Sequence, residues 1–261
     1  MTRISPLPAF DDNYIWLLRA PGSTGAVVVD PGDESPVFGA LEQEGLTLTA
    51  ILITHHHGDH TGGVTDLVAA FPEVQVIGPR DPRIRHVTRT VGEGDLVVLP
   101  GFAEPLKVLE VPGHTASHIA YLRDGDGVLF CGDTLFAGGC GRVFDGTFEQ
   151  LSGSLRRIAA LPRETRVYCA HEYTLANLGF AKWVEPDSAP LAEREREARR
   201  LRSAGLPTVP SRLALELATN PFLRTGEPGV IAAAEAFAGR PLHGHAEVFT
   251  ALRQWKDQRY D

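Results

Sequence analysis

An α/β fold with two sheets, helices on their outer faces and a helical C-terminal part is what this 261-residue sequence predicts. Three observations carry the prediction. Over the first two-thirds of the chain, short apolar runs of strand length alternate with turn signals. A few helical stretches are interspersed among them, the pattern of sheets covered by helices. From about Leu175 the strand patterns stop, and helices broken by prolines at 186, 190, 207, 210, 221 and 228 take over. The expected division is therefore 1–174 and 175–261, one large domain and a smaller helical one.

The elements follow in order. Tyr14 to Leu18 and Ala26 to Val29 read as strands separated by Pro21-Gly22-Ser23. Ser35-Pro36 reads as an N-cap with proline at the first helical position, which predicts a helix over Val37 to Glu44. Leu48 to Ile53 is the next strand, and Gly63 to Ala70 a helix stopped by Pro72. Strands are then expected at Val74–Ile77, Leu96–Leu99, Leu106–Val111, Ile119–Leu122, Val128–Cys131 and Val167–Cys169. Thr147-Phe148-Glu149-Gln150 has the form of a capping box and opens a helix to about Ala160. The charge run from Glu193 to Arg202 mixes signs, with Glu195 and Arg199 at i,i+4, and reads as a solvated helix face. The sequence has no internal repeat.

The segment Thr54-His55-His56-His57-Gly58-Asp59-His60 directly follows the apolar run Ala50 to Ile53. Three imidazoles and a carboxylate at the end of a buried strand build a poor core and a good metal site. In extended chain, side chains two apart point the same way, so His55 and His57 aim at one ion while His56 points to the opposite face. Gly58 is expected to let the backbone turn so that Asp59 and His60 reach a second ion. Imidazole and carboxylate suit zinc, iron or manganese without a thiolate. A purification tag would sit at a terminus and carry no aspartate in register with a strand.

Three further strand ends supply candidate ligands: His114 in Gly113-His114-Thr115, Asp133 in Gly132-Asp133-Thr134, and His171 in Ala170-His171-Glu172. Singly each is an ordinary loop residue; together they complete a set. His55, His57 and His114 would form one site, Asp59, His60 and His171 a second, and Asp133 would bridge two divalent ions. Two such cations against two carboxylates leave positive charge enough to hold a bridging hydroxide.

With 43% hydrophobic and 22% charged residues, the composition is that of a globular protein with no apolar run of membrane-span length. The net charge of −8 argues against nucleic acid as partner. The N-terminal residues lack a signal-peptide core, and three cysteines (Cys131, Cys140, Cys169) fit a reducing compartment, so the cytoplasm is expected. Each cysteine reads as a small buried filler, His118 as a supporting residue, and His86, His243 and His245 as surface residues.

The His-x-His-x-Asp-His motif, with Gly113-His114-Thr115, Gly132-Asp133-Thr134 and His171, resembles the metallo-β-lactamase superfamily of binuclear hydrolases. Asp12-Asn13-Tyr14, Cys131 to Phe136, Gly139-Cys140-Gly141-Arg142, His171 to Thr174, Asn220-Pro221-Phe222 and Arg253 to Gln258 narrow the resemblance to glyoxalase II, the hydroxyacylglutathione hydrolases. It extends over essentially the whole chain.

That resemblance implies an αββα sandwich carrying two divalent metals, zinc foremost with iron or manganese as alternatives, and a helical domain that helps bind glutathione. A bridging hydroxide would attack the thioester of S-D-lactoylglutathione, giving D-lactate and glutathione, the second step of methylglyoxal detoxification. Asp59 and Asp133 would be the catalytic carboxylates. Arg253 and Lys256 match the basic pair that grips the glycine carboxylate of the tripeptide, and Tyr173 a tyrosine that touches it. Arg142 stands where a lysine is common and Phe144 where a tyrosine is common, two departures within the substrate-binding set. A small-molecule thioester, a monomer, and neither nucleic acid nor membrane are the partners expected. Competing readings are a glutathione persulfide dioxygenase using one iron and oxygen, a nuclease on the same scaffold, and a closed structural metal module.

Overall fold

Ahead of residue 133 the described residues form ten strands and three helices, most of them on the apolar runs. The computed structural model describes residues 2–260, and the chain divides into two units: Met1–Glu110 with Ser117–Gly132, and Val111–Ala116 with Asp133–Asp261.

In the first unit, strands β1 (Arg3–Ala9), β2 (Asn13–Arg19), β3 (Gly25–Val29), β4 (Thr47–Leu52), β5 (Gln75–Gly78) and β6 (Arg89–Thr90) form one sheet in that order. The pairs β1–β2 and β2–β3 are antiparallel and the rest parallel. Four further strands, β7 (Leu96–Val97), β8 (Leu106–Glu110), β9 (Ile119–Arg123) and β10 (Val128–Gly132), run antiparallel to their neighbours. The hydroxyl of Tyr121 on β9 donates to the carbonyls of Ile53 (2.9 Å) and Ile77 (3.1 Å), tying the second sheet to the first. Burial pushes the pKa of that phenol well above its ordinary value.

Helices α1 (Ser35–Glu44), α2 (Gly58–Thr61) and α3 (Val64–Ala70) belong to the same unit. Val37 and Leu41 of α1 and Val64 and Leu67 of α3 pack with Ile15, Leu17, Ala26, Val28, Leu48, Ile51 and Ile53. The opposite face of those strands (Trp16, Leu18, Val27, Val29, Leu52) is buried as well. Burial on both faces explains the near-continuous apolar runs. Along β4 the inward set switches parity. Ala26 pairs with Leu48 but Val27 pairs with Ala50, so Thr49 is an extra residue, and its hydroxyl donates to the Ala26 carbonyl at 2.9 Å. This bulge brings Leu48 onto the same face as Ile51 and Ile53.

In the second unit a two-stranded hairpin, β11 (Leu135–Phe136) and β12 (Gly139–Cys140), precedes α4 (Phe148–Ala159) and β13 (Arg166–Cys169). Helices α5 (Thr174–Val184) and α6 (Ala189–Ser203), strand β14 (Ser211–Arg212), α7 (Leu213–Thr219), a 3₁₀ turn over Pro221–Leu223, α8 (Pro228–Ala238) and α9 (Gly244–Arg259) follow. The capping box forms as predicted: Thr147 Oγ1 accepts from the Gln150 backbone N–H (3.1 Å) and Gln150 Oε1 from that of Thr147 (2.9 Å). Arg199 pairs with Glu195 at 2.6 Å on the exposed side of α6.

Four local expectations need correction. The α1 cap is Glu34, one residue early, because Asp33 Oδ1 already accepts from the Ser35 N–H at 2.8 Å and Ser35 becomes helical. The strand expected over Leu96–Leu99 is shorter, covering Leu96–Val97, which pair with Lys107 and Leu106. Strand β14 pairs with β13 beyond Leu175, where none was expected. Gly58 makes no left-handed turn; it starts the single turn of α2, and a Cβ there would meet nothing within 4 Å.

Candidate metal centre

In the first unit β4 ends at Leu52 and delivers His55 and His57 into the segment before α2. His55 Nε2 and His57 Nδ1 face each other at 3.0 Å, as the two-residue spacing requires. His56 turns elsewhere: its Nδ1 is 3.5 Å from Asp81 Oδ2. Asp81 also accepts from Arg83 (2.6 Å) and from the Ser117 hydroxyl (2.6 Å), and the Arg83 bonds hold its carboxyl well below the usual carboxylate range.

The buried carboxylate of Asp30, at the end of β3, organises the candidate ligands of the first unit. It accepts from the Thr54 N–H (2.8 Å), the Thr54 hydroxyl (2.7 Å) and His60 Nδ1 (3.1 Å). With its proton given to Asp30, the Thr54 hydroxyl accepts from His55 Nδ1 at 3.1 Å. One carboxylate thus fixes two tautomers, and the Nε2 atoms of His55 and His60 become the lone-pair nitrogens, as metal-binding imidazoles require. His118 stacks on His55, ring centroids 4.6 Å apart. Asn13 donates to Asp59 Oδ2 at 3.1 Å and fixes that carboxylate 3.3 Å from His60 Nε2. Gly32 backs Asp59 so closely that a Cβ would stand 1.9 Å from the Asp59 carbonyl oxygen.

The second unit gathers His114, Asp133 and His171. Asp133 Oδ2 lies 3.5 Å from His114 Nε2 and 3.3 Å from His171 Nε2. The Nδ1–H of His114 donates to the Arg142 carbonyl at 2.8 Å, which again makes Nε2 the ligand atom. Phe144 packs edge-on to the His114 ring, while Tyr173 stacks flat on His171 at 4.7 Å with Phe136 against both.

The donor set fits a divalent metal. Two ligand atoms each about 2.0–2.1 Å from a tetrahedral zinc stand about 3.4 Å apart, and the imidazole–carboxylate separations above have that length. Asp30, His55 and His60 also bring one potential ligand atom each within 4.8 Å of the others.

The remaining predicted residues lie in the second unit. Lys256 is buried and donates to Asn177 Oδ1 at 2.7 Å. Arg253, fully buried, donates to Asp257 Oδ1 (2.8 Å) and to the Cys140 carbonyl (3.1 Å). Arg142, half exposed, has its Nε 3.7 Å from the same Asp257 oxygen. Asp257 therefore spaces two of the expected substrate cations. The thiols are inert fillers: burial pushes Cys140 up to about 11 and Cys169 up to about 12.

Gly141 is a tight point among the second unit's candidate ligands, since a Cβ would meet the Asp133 carbonyl oxygen at 2.0 Å and His114 Nδ1 at 3.0 Å. Gly141→Ala must displace one of them. A shift near 1 Å in catalytic geometry costs on the order of 10²-fold, so kcat should fall by about that much, read alongside a thermal melt that reports folding.

Asp30, Thr54, Asn13, Asn177 and Asp257 were not among the expected site residues. Asp30 carried a usable signal, a carboxylate ending an apolar strand as Asp133 does, and Asn13 and Asp257 lie within motifs that carried the family resemblance.

Residues 172–259 match the family model "Hydroxyacylglutathione hydrolase C-terminus", and residues 9–171 match "Metallo-beta-lactamase superfamily". The chain belongs to the hydroxyacylglutathione hydrolase family. A hydroxyacylglutathione hydrolase of Alkalilimnicola ehrlichii is 57% identical over 99% of this chain and 100% of its own length. One from Cupriavidus metallidurans is 53% identical over 98% and 99%. Among solved structures, TTHA1623 in a di-iron-bound form is 28% identical with a TM-score of 0.61, covering 84% of this chain and 100% of its own. The BLEG-1 B3 metallo-β-lactamase, 23% identical, shares the fold at a TM-score of 0.63 over 85% of this chain and 99% of its own. The family fold is the expected αββα sandwich followed by a C-terminal helical domain, and the His/Asp clusters mark a divalent metal site within it.

Proposed function

We propose that the chain hydrolyses S-D-lactoylglutathione and related S-2-hydroxyacylglutathiones to the hydroxy acid and glutathione, the second step of methylglyoxal detoxification. The observation that supports this most strongly is the match of residues 172–259 to the C-terminal model of hydroxyacylglutathione hydrolases, backed by relatives of that name along nearly the full length. The persulfide dioxygenase alternative is not favoured by the same match.

In this reading His55, His57 and His114 hold one ion, Asp59, His60 and His171 the other, and Asp133 is shared. The metal-bearing part is assigned to 1–174 and the glutathione-binding part to 175–261. Zinc is the proposed occupant, with iron or manganese accepted by the same nitrogens and oxygens. Divalent ions so held supply Lewis acidity, lowering the pKa of water toward neutrality and polarising a carbonyl. The chain's own residues do the rest. Asp59, immobilised by Asn13, orients the attacking water and accepts its proton. Attack on the carbonyl carbon breaks the carbon–sulfur bond, and the glutathione thiolate leaves, taking up a proton.

Lys256, held by its bond to Asn177 Oδ1, is proposed to grip the glycine carboxylate through its charge. Arg253, Arg142, Phe144 and Tyr173 are proposed as the other tripeptide contacts. A monomer working in the cytoplasm on a small molecule, without nucleic acid or membrane, is part of the same proposal, and the net charge of −8 supports the exclusion of nucleic acid. No described helix is long and apolar enough to cross a membrane.

The deciding assay is thiol release from S-D-lactoylglutathione by purified protein, with metal content measured on the same sample. Turnover with about two metals per chain is expected. Oxygen uptake on glutathione persulfide without thioester cleavage would overturn the reading. Lys256→Ala should raise KM roughly 10–100-fold, the size of a lost charge-assisted hydrogen bond, with kcat little changed. An unchanged KM would show that the tripeptide carboxylate sits elsewhere.

A further inference from the structure

Resting on the hydrolase reading, we infer that the cleft bounded by Phe10, Asp11, Asp12, Asn13 and Asp59, about 450 Å³, receives the acyl end of the thioester and selects against acyl chains bearing a carboxylate. The cleft is built by the hairpin between β1 and β2. Phe10 at its tip holds a left-handed backbone (φ 50°), rare for an aromatic residue, and is 59% exposed. Such strain persists only where the surroundings hold it. Here the ring lies over Gly32, whose Cβ, were there one, would meet Phe10 Cε2 at 2.9 Å. Asn13, at the foot of the same hairpin, donates to the carbonyl oxygen (3.4 Å) and to Oδ2 (3.1 Å) of Asp59. The tip and the carboxylate assigned to water activation are thereby parts of one wall.

The reacting carbonyl is flanked by the acyl carbon and the glutathione sulfur; with the tripeptide assigned to Lys256 and Arg253, the acyl group is the side left for the cleft beside Asp59. Its surroundings are one aromatic ring, one amide and three carboxylates. A short neutral 2-hydroxyacyl group meets an apolar face and hydroxyl-accepting oxygens there. An acyl chain with its own carboxylate brings a further negative charge among Asp11, Asp12 and Asp59. Specificity then comes from repulsion of the wrong substrate rather than tighter grip on the right one.

The test compares S-D-lactoylglutathione with S-succinylglutathione in the native holoenzyme and in Asp11→Asn/Asp12→Asn. A calorimetric comparison of two inert thioethers, S-(2-hydroxypropyl)glutathione and S-(2-carboxyethyl)glutathione, reads binding without turnover. Native protein should favour the uncharged member of each pair. The double variant should shrink both preferences about tenfold, the effect of one or two like charges a few ångströms away in a solvated cleft. Preferences that stay put in the variant, or that native protein lacks, overturn the assignment while leaving the hydrolase reading intact. A native protein inactive on S-D-lactoylglutathione overturns the hydrolase reading, and this assignment with it.

Discussion

Asp133→Ala is expected to lower turnover of S-D-lactoylglutathione on the order of 10³-fold or more, the range that follows removal of a principal transition-state stabiliser, and to leave the purified protein depleted of metal. The reason is positional. Asp133 Oδ2 is within 3.5 Å of the Nε2 atoms of both His114 and His171, so its removal takes the anionic centre from a pair of imidazoles whose lone pairs converge there. Neutral imidazoles alone bind a divalent cation without offsetting its charge. Metal analysis beside kcat reads the effect, and a melt checks that the fold survives. A variant that kept native metal content and native kcat would exclude Asp133 as a shared ligand.

The largest stability effect is expected away from the metals, at Arg194→Ala. Glu216 is fully buried and accepts from Arg194, the Ser211 hydroxyl, the Gly138 N–H (2.8 Å) and Asn220 Nδ2 (3.2 Å). Arg194, itself buried, also donates to the Thr219 hydroxyl at 2.6 Å. Removing the guanidinium strands a carboxylate without its counter-charge, which costs about 3–5 kcal/mol. For a chain of this size that is a fall in melting temperature of roughly 6–20 °C. Replacing both partners, Arg194→Met with Glu216→Leu, should recover a large part of the loss, because the penalty lies in the unpaired charge. A single variant that melts with the native protein would refute the argument. The network also bears on the centre: Asn220 donates to the Gly139 carbonyl at 2.9 Å, holding the β11–β12 hairpin that begins two residues after Asp133.

Strands were legible wherever burial on both faces wrote an unbroken apolar run, as in β2 to β5. Strand β1 was not, because Pro6 and Pro8 read as breakers; the strand lies at the edge of its sheet, where a missing N–H costs no ladder bond. The two-residue strands carry too few side chains for any periodicity. At the centre, seven candidate ligands could be read because imidazoles and carboxylates are rare at strand ends. Their supports could not. Thr54 and Asn13 are ordinary in sequence and acquire their roles through Asp30 and Asp59, 24 and 46 residues away. The proposed substrate cations Arg253 and Lys256 stood out as a basic pair three apart on one helix, whereas Asn177, 79 residues from Lys256, did not.

The extra residue at Thr49 has a consequence for how this sequence can change. Deleting it would remove the bulge and leave Leu48, Ile51 and Ile53 on one face by strict alternation, whereas inserting a further residue would turn Ile51 away from the helices that cover it. The stretch from Leu48 to the first histidine thus behaves as a ruler that can lose one division and gain none. Single-residue insertions should be tolerated at the exposed Pro21-Gly22 turn and selected against within that ruler, and a library of single-residue insertions scored for soluble expression would display the contrast.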